Sequence, residues 1–166
     1  MQNQDYPLIF IVEDNTIYNK LIASYLRSNK FSRIESFLSG EECLENLYKR
    51  PDIVIQDYLL NGISGIDVLK ETKKSNPNTE FIFLSGQDNL NIAVNTIKYG
   101  AYDYVVKDRY ALKKLIDNIN NIMNVQSIRL QNKNYKTGIK LFFLVLAILV
   151  LCLTIIAVIF PDIFSF

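Results

Sequence analysis

Five short runs rich in Ile, Val and Phe are spread through the first 106 residues: Leu8–Val12, Ile34–Leu38, Ile53–Ile55, Phe81–Leu84 and Tyr102–Val106. Each reads as a buried strand. Between and after them lie stretches with helical spacing of apolar side chains. These are Ile17, Leu21, Ile22, Tyr25 and Leu26; Cys43, Leu44, Leu47 and Tyr48; Ile66 and Leu69; and Ile92, Ala93, Thr96 and Ile97. The last runs through Leu112, Leu115, Ile116, Ile119 and Met123. Ser39 with Glu42 three residues on forms a capping-box pattern for the second helix. Pro51 and Pro77 fall in connections ahead of the third and fourth strands. Five strand-then-helix units imply an α/β fold: a doubly wound, five-stranded parallel sheet with helices on both faces.

A second kind of segment follows. Leu141 to Phe160 is 20 residues without a charge or a proline, 16 of them Leu, Ile, Val or Phe. As a helix it would span roughly 30 Å, about one bilayer core. A core helix of a small domain would carry a polar face, and this one has none. The expected layout is a globular domain over 1–125, a juxtamembrane linker over 126–138, a transmembrane helix over 139–160 and a short tail over 161–166. Arg129, Lys133, Lys136 and Lys140 precede the span, and only Asp162 follows it as a side-chain charge. The positive-inside rule then places the N-terminal domain in the cytoplasm, at a cell membrane crossed once. The first residues carry no cationic start, and Leu8–Val12 ends in Glu13 and Asp14, so a signal peptide is not expected there.

Composition excludes several classes. The net charge is +1, and no basic stripe interleaves with aromatics, so nucleic acid is not an expected partner. The two cysteines, Cys43 and Cys152, lie far apart, which argues against a disulfide framework or a zinc site. The chain has no histidine, which removes His-based acid–base chemistry and His metal ligands.

In an open parallel sheet, ligands bind outside the carboxyl ends of the strands. The first strand ends in Glu13 and Asp14, the third in Asp57, the fourth in Ser85 and the fifth in Lys107. Any one of these is ordinarily a cap, a turn or a solvated charge. Together they place three carboxylates, a hydroxyl and an ammonium on one edge. Adjacent carboxylates repel unless a cation sits among them. Hard oxygen ligands with room for water suit Mg²⁺. Such a cation, with a lysine and a hydroxyl, can hold phosphoryl oxygens, and phosphoryl transfer depends mainly on this positioning and charge neutralisation. Asp57, on the central strand between the acidic pair and the lysine, is the expected nucleophile, and an aspartyl phosphate is a known type of covalent intermediate.

These residues resemble the receiver domain of two-component response regulators, over residues 7 to about 123. Ile11-Val12-Glu13-Asp14-Asn15 resembles the family's acidic start, with Asn19 extending it. Asp57 with Leu60, Gly62 and Gly65 resembles the phosphorylation-site loop. Ser85-Gly86 and Gly100-Ala101-Tyr102-Asp103-Tyr104-Val105-Val106-Lys107 resemble the remaining motifs. The resemblance implies a flavodoxin-like sheet and phosphorelay signalling. Asp57 would accept phosphate from a histidine kinase or histidine phosphotransfer protein. Glu13 (mainly through water), Asp14, Asp57 and the backbone carbonyl of Leu59 would hold Mg²⁺. Lys107 would pair with the phosphate, Ser85 would swing toward it, and Tyr104 would follow as the switch. The face of the fourth helix, fifth strand and fifth helix would then change, contacting a downstream protein or a second copy as a homodimer.

The chain departs from the family pattern at Asp108 and Asn61, where prolines are usual. Leu59 and Gln87 stand at positions that help place hydrolytic water, and apolar Leu59 implies slow self-dephosphorylation. Catalysis is expected to stop at the domain's own phosphorylation and dephosphorylation. No helix-turn-helix or enzymatic output is recognised in the sequence, so a protein contact, a change in oligomer state or relayed phosphate would carry the output. The alternative is a non-phosphorylated, membrane-anchored scaffold. A haloacid-type phosphatase is disfavoured because Leu59 stands where its second aspartate is needed.

Overall fold

A computed structural model describes residues 6–159, with side chains of the long C-terminal helix described at 139 and 141–149 but not at 130–138, 140 or 150–159. The elements are β1 (Ile9–Val12), α1 (Thr16–Ser28), β2 (Ile34–Phe37), α2 (Gly40–Glu45), a short 3-10 turn (Leu47–Lys49), β3 (Ile53–Asp57), α3 (Gly65–Ser75), β4 (Glu80–Ser85), α4 (Leu90–Lys98), β5 (Asp103–Val106) and α5 (Ala111–Ile159). The strands form one five-stranded parallel sheet in the order β2-β1-β3-β4-β5. This is the flavodoxin-like, doubly wound arrangement that the alternating pattern implied.

Strand alternation divides the core between the two faces. Ile9, Ile11, Ile53, Ile55, Ile82, Leu84 and Val105 pack with Ile22 and Leu26 of α1 and with Ala111, Leu115 and Ile119 of α5. Phe10, Val12, Val54, Phe81 and Phe83 pack on the other side with Cys43 of α2 and Val68 and Leu69 of α3. β1 and β3 are buried along their whole length, so the ends of these two central strands are rigid platforms.

Helix starts obey local chemistry. Asn15 Oδ1 accepts the N–H groups of Ile17 and Tyr18, each at 3.0 Å. Ser39 Oγ accepts from Glu42 N–H at 3.2 Å, as the capping pattern required. The reciprocal bond is donated to the Glu42 carboxylate by Leu38 N–H, one residue before the cap. Each such cap contributes about 1 kcal/mol.

Strand limits follow the ladder rather than apolarity. Leu38, expected to end β2, lies outside it, half exposed. Tyr102 lies before β5, while β3 extends to Asp57 and β4 runs from Glu80 to Ser85.

The chain divides into two units, 1–123 and 124–166. In the second, α5 carries on through the stretch expected to be a linker over 126–138, with no break in helical backbone. Among the described residues no helix is long and apolar enough to cross a membrane. The expected span is therefore not found there. The nine consecutive apolar residues Leu141–Leu149, all exposed, cover only about 14 Å of helix. The remainder of the expected span, and the expected tail over 161–166, fall outside the described side chains.

Candidate functional site

Glu13, Asp14, Asp57, Ser85 and Lys107 stand together at the carboxyl edge of the sheet because β1, β3, β4 and β5 are parallel and in near register. Val12 aligns with Gln56, Asp57 with Leu84, and Ser85 with Val106. One carboxylate oxygen from each of Glu13, Asp14 and Asp57 lies within 4.8 Å of the others. Lys107 Nζ lies 2.6 Å from Glu13 Oε2 and 2.9 Å from Asp57 Oδ2. The lysine thus neutralises the two most buried carboxylates. Three carboxylates and one ammonium leave the cluster two negative charges in excess. Close, hard oxygen donors with that excess fit a small divalent cation.

Burial pushes the Glu13 carboxyl above its ordinary range, and neighbouring Asp57 adds to this against the opposing Lys107 bond. Burial works to lower the Lys107 ammonium, but its bonds to Glu13 and Asp57 win and raise it. Desolvation outweighs the ion pair at Glu13, which is 2 % exposed, whereas the ion pair outweighs desolvation at Lys107. Lys107 also sits 4.8 Å above the Tyr18 ring, a cation–π contact. Burial raises the Tyr18 phenol, so it stays neutral beneath the lysine.

The loops are fastened by residues of several elements. Asn19 of α1 donates through Nδ2 to Glu13 O at 3.1 Å and Phe37 O at 3.0 Å, tying the end of β1 to the end of β2. Gln56 donates to Asp57 O at 3.0 Å, and its own Oε1 is buried without a partner. Gly65 opens α3 where a Cβ would meet Asp57 O at 2.7 Å, so helix and nucleophile strand touch only because glycine is there. Leu59 N–H lies 3.3 Å from Asp57 Oδ1, and the Leu59 side chain is half exposed.

Ser85 is fully buried, and its Oγ accepts Gln87 N–H at 3.0 Å rather than touching Asp57 or Lys107. The Tyr104 hydroxyl donates to Gln87 O at 2.7 Å. Gln87 therefore joins the two residues through its backbone, a link that spacing alone does not reveal. At the other departure, Lys107–Asp108 is trans, as are all peptide bonds among the described residues. Asp108 turns the β5–α5 loop with its side chain: Oδ1 accepts Tyr110 N–H at 2.7 Å, and its carbonyl accepts Ala111 N–H at 3.1 Å. Lys107 N–H is held by Ser85 O at 2.7 Å. The lysine is aimed at Asp57 without the usual proline. Tyr18 and Gln56 were not legible as site residues, since each follows an apolar neighbour in an ordinary helix or strand pattern.

Residues 9–120 match the family model described as response regulator receiver domain. The chain belongs to this family. It is 31% identical over 99 residues to the transcriptional regulatory protein CssR of Bacillus subtilis, covering 60% of this chain and 44% of that one. It is also 31% identical over 99 residues to a cyclic di-GMP phosphodiesterase of Thermotoga maritima, covering 60% of this chain and 26% of the relative. Among solved structures, the receiver domain of NtrX from Brucella abortus superposes with a TM-score of 0.63 at 28% identity, covering 70% of this chain and 98% of that one. The chain spans only about a fifth to under a half of the length of the curated relatives it matches. Two-component signalling is the setting of the family, and histidine kinases phosphorylate its receiver domains.

Proposed function

We propose that this chain is a phosphorylatable receiver in a phosphorelay, with Asp57 as phosphoacceptor. The observation that carries this reading is Lys107 Nζ set between Glu13 and Asp57 at 2.6 and 2.9 Å. An Asp57 carboxylate oxygen forms the new O–P bond as the P–N bond of a donor phosphohistidine breaks. The electron pair of the broken bond stays on the imidazole nitrogen, which takes up a proton. Lys107 is placed to shift from the carboxylate to a phosphoryl oxygen. Mg²⁺ would be held by Glu13, Asp14, Asp57 and the Leu59 carbonyl, and when bound it supplies positive charge for the phosphoryl oxygens.

Ser85 and Tyr104 give the switch a mechanical path. When the Ser85 hydroxyl turns to the phosphoryl group, the Gln87 segment loses one anchor, and Tyr104 is bound to that same residue. The α4, β5 and α5 face is reshaped for a downstream protein or a second copy. The Leu59 side chain offers no polar group to orient water, so self-dephosphorylation is slow. The apolar run 141–160 supports a single membrane anchor, with the receiver domain cytoplasmic.

The test is incubation of the full chain, kept in mild detergent, with Mg²⁺ and a small acyl phosphate. Stoichiometric incorporation that disappears in Asp57→Asn supports the reading. Absence of incorporation, also from a histidine phosphotransfer donor, sinks it in favour of the scaffold. That reading draws its support from Asn61, whose side chain already occupies Asp14 at 2.8 Å. Release of the full chain from membranes by salt alone would refute the anchor.

A further inference from the structure

Asn61 Nδ2 donates to Asp14 Oδ2 at 2.8 Å, across 47 residues of sequence. This contact is not incidental to a loose loop. Gly62, next in the chain, has φ +89°, a left-handed conformation that glycine adopts without strain. Glu41 of α2 accepts Ile63 N–H at 2.9 Å and fixes the loop from outside. The Glu41 carboxyl is held below its ordinary range first by its own backbone N–H and then by that of Ile63, so it stays charged in this role. Asn61 thus lies beside a left-handed glycine and two residues from an anchored backbone N–H.

The consequence lies in the chemistry of the donor. An amide N–H₂ aimed at a carboxylate oxygen takes one of that carboxylate's about four lone-pair sites and competes with a cation for the same oxygen. Resting on the reading that Asp14 holds Mg²⁺, we propose that Asn61 is a positioning residue that latches Asp14 and sets the Mg²⁺ threshold of the domain. Metal binding through Asp14 Oδ2 draws on the fraction of molecules in which Asn61 has let go, and apparent affinity falls with that fraction. A residue without a side-chain donor at this position leaves Asp14 Oδ2 open at all times.

The test is calorimetric titration of the full chain in mild detergent with Mg²⁺ alone. Asn61→Ala is expected to tighten the Mg²⁺ dissociation constant about fivefold, the worth of one partly exposed charge-assisted hydrogen bond. Asn61→Leu keeps the side-chain volume without the donor and is expected to match Ala. A merely structural role would separate the two variants according to size. Wild-type binding with no gain in either variant overturns the latch alone. Weaker binding in both shows instead that the Asn61 carbonyl is a ligand, and also overturns it. No detectable Mg²⁺ binding in the wild-type chain overturns both the latch and the reading beneath it.

Discussion

Lys107→Ala tests the electrostatics of the site most directly. The substitution removes the only ammonium paired with two buried carboxylates among the described residues. Glu13 and Asp57 side chains are 2% and 8% exposed, against 19% for Lys107. At these separations, with an effective dielectric near 20, each attraction is worth about 6 kcal/mol gross. Desolvation offsets most of that, and breaking a buried pair costs about 3–5 kcal/mol net. Glu13, already pushed up by burial, can relieve the strain by taking a proton, which trims the loss to about 2–3 kcal/mol. In urea, followed by tyrosine fluorescence in EDTA, the midpoint should fall by about 1–2 M. Millimolar Mg²⁺ should recover part of the loss, because a cation among the same carboxylates replaces the missing charge. Equal stability of variant and wild type in EDTA would refute the claim that the lysine balances this cluster.

Three further outcomes follow from the packing. Gly65→Ala forces its Cβ to 2.7 Å from Asp57 O. Overpacking of about 1–3 kcal/mol outweighs a helix-propensity gain of at most about 1, so denaturation should show a net loss. Asn19→Ala strands the buried Glu13 carbonyl and leaves Phe37 O with only the Glu13 N–H, costing about 1–2 kcal/mol in the same assay. Cys43 is fully buried, and burial pushes its thiol up to about 12. The unfolded state loses its thiol proton first as pH rises, so stability should fall between about pH 8.5 and 12. On a Cys152→Ser background, alkylation at pH 8 should occur only as fast as unfolding.

The sheet and the acidic cluster were readable in the sequence because both depend on local regularities. Strand-forming runs end in Glu13, Asp57, Ser85 and Lys107, and parallel pairing brings strand ends together whatever the loops do. Strand limits were less readable: Leu38 is apolar, yet its N–H belongs to Glu42 and not to the ladder. The Asn61–Asp14 and Glu41–Ile63 contacts span 47 and 22 residues and flank a positive-φ glycine, which no periodic pattern encodes. Asp108 read only as a departure from the family's usual proline. Its side chain closes the turn by hydrogen bonding, a route visible only once Tyr110 N–H is placed. The polar stretch before Leu141 suggested a linker, but Gln, Asn and Lys are compatible with helix, and α5 keeps its backbone pattern through them.

The strand order has one more consequence. β2 and β5 are the outermost strands, and each is four residues long. Glu35 of β2 is engaged by Lys49, and Asp103, which opens β5, accepts Asn118 Nδ2 at 2.6 Å. A short border bearing anchored charge is a poor template for another chain's backbone, since pairing would strip those groups of water. Growth of the sheet from copy to copy is thereby discouraged. Whatever meets this domain must do so on helices and loops, the parts of the fold that a change at Asp57 can move.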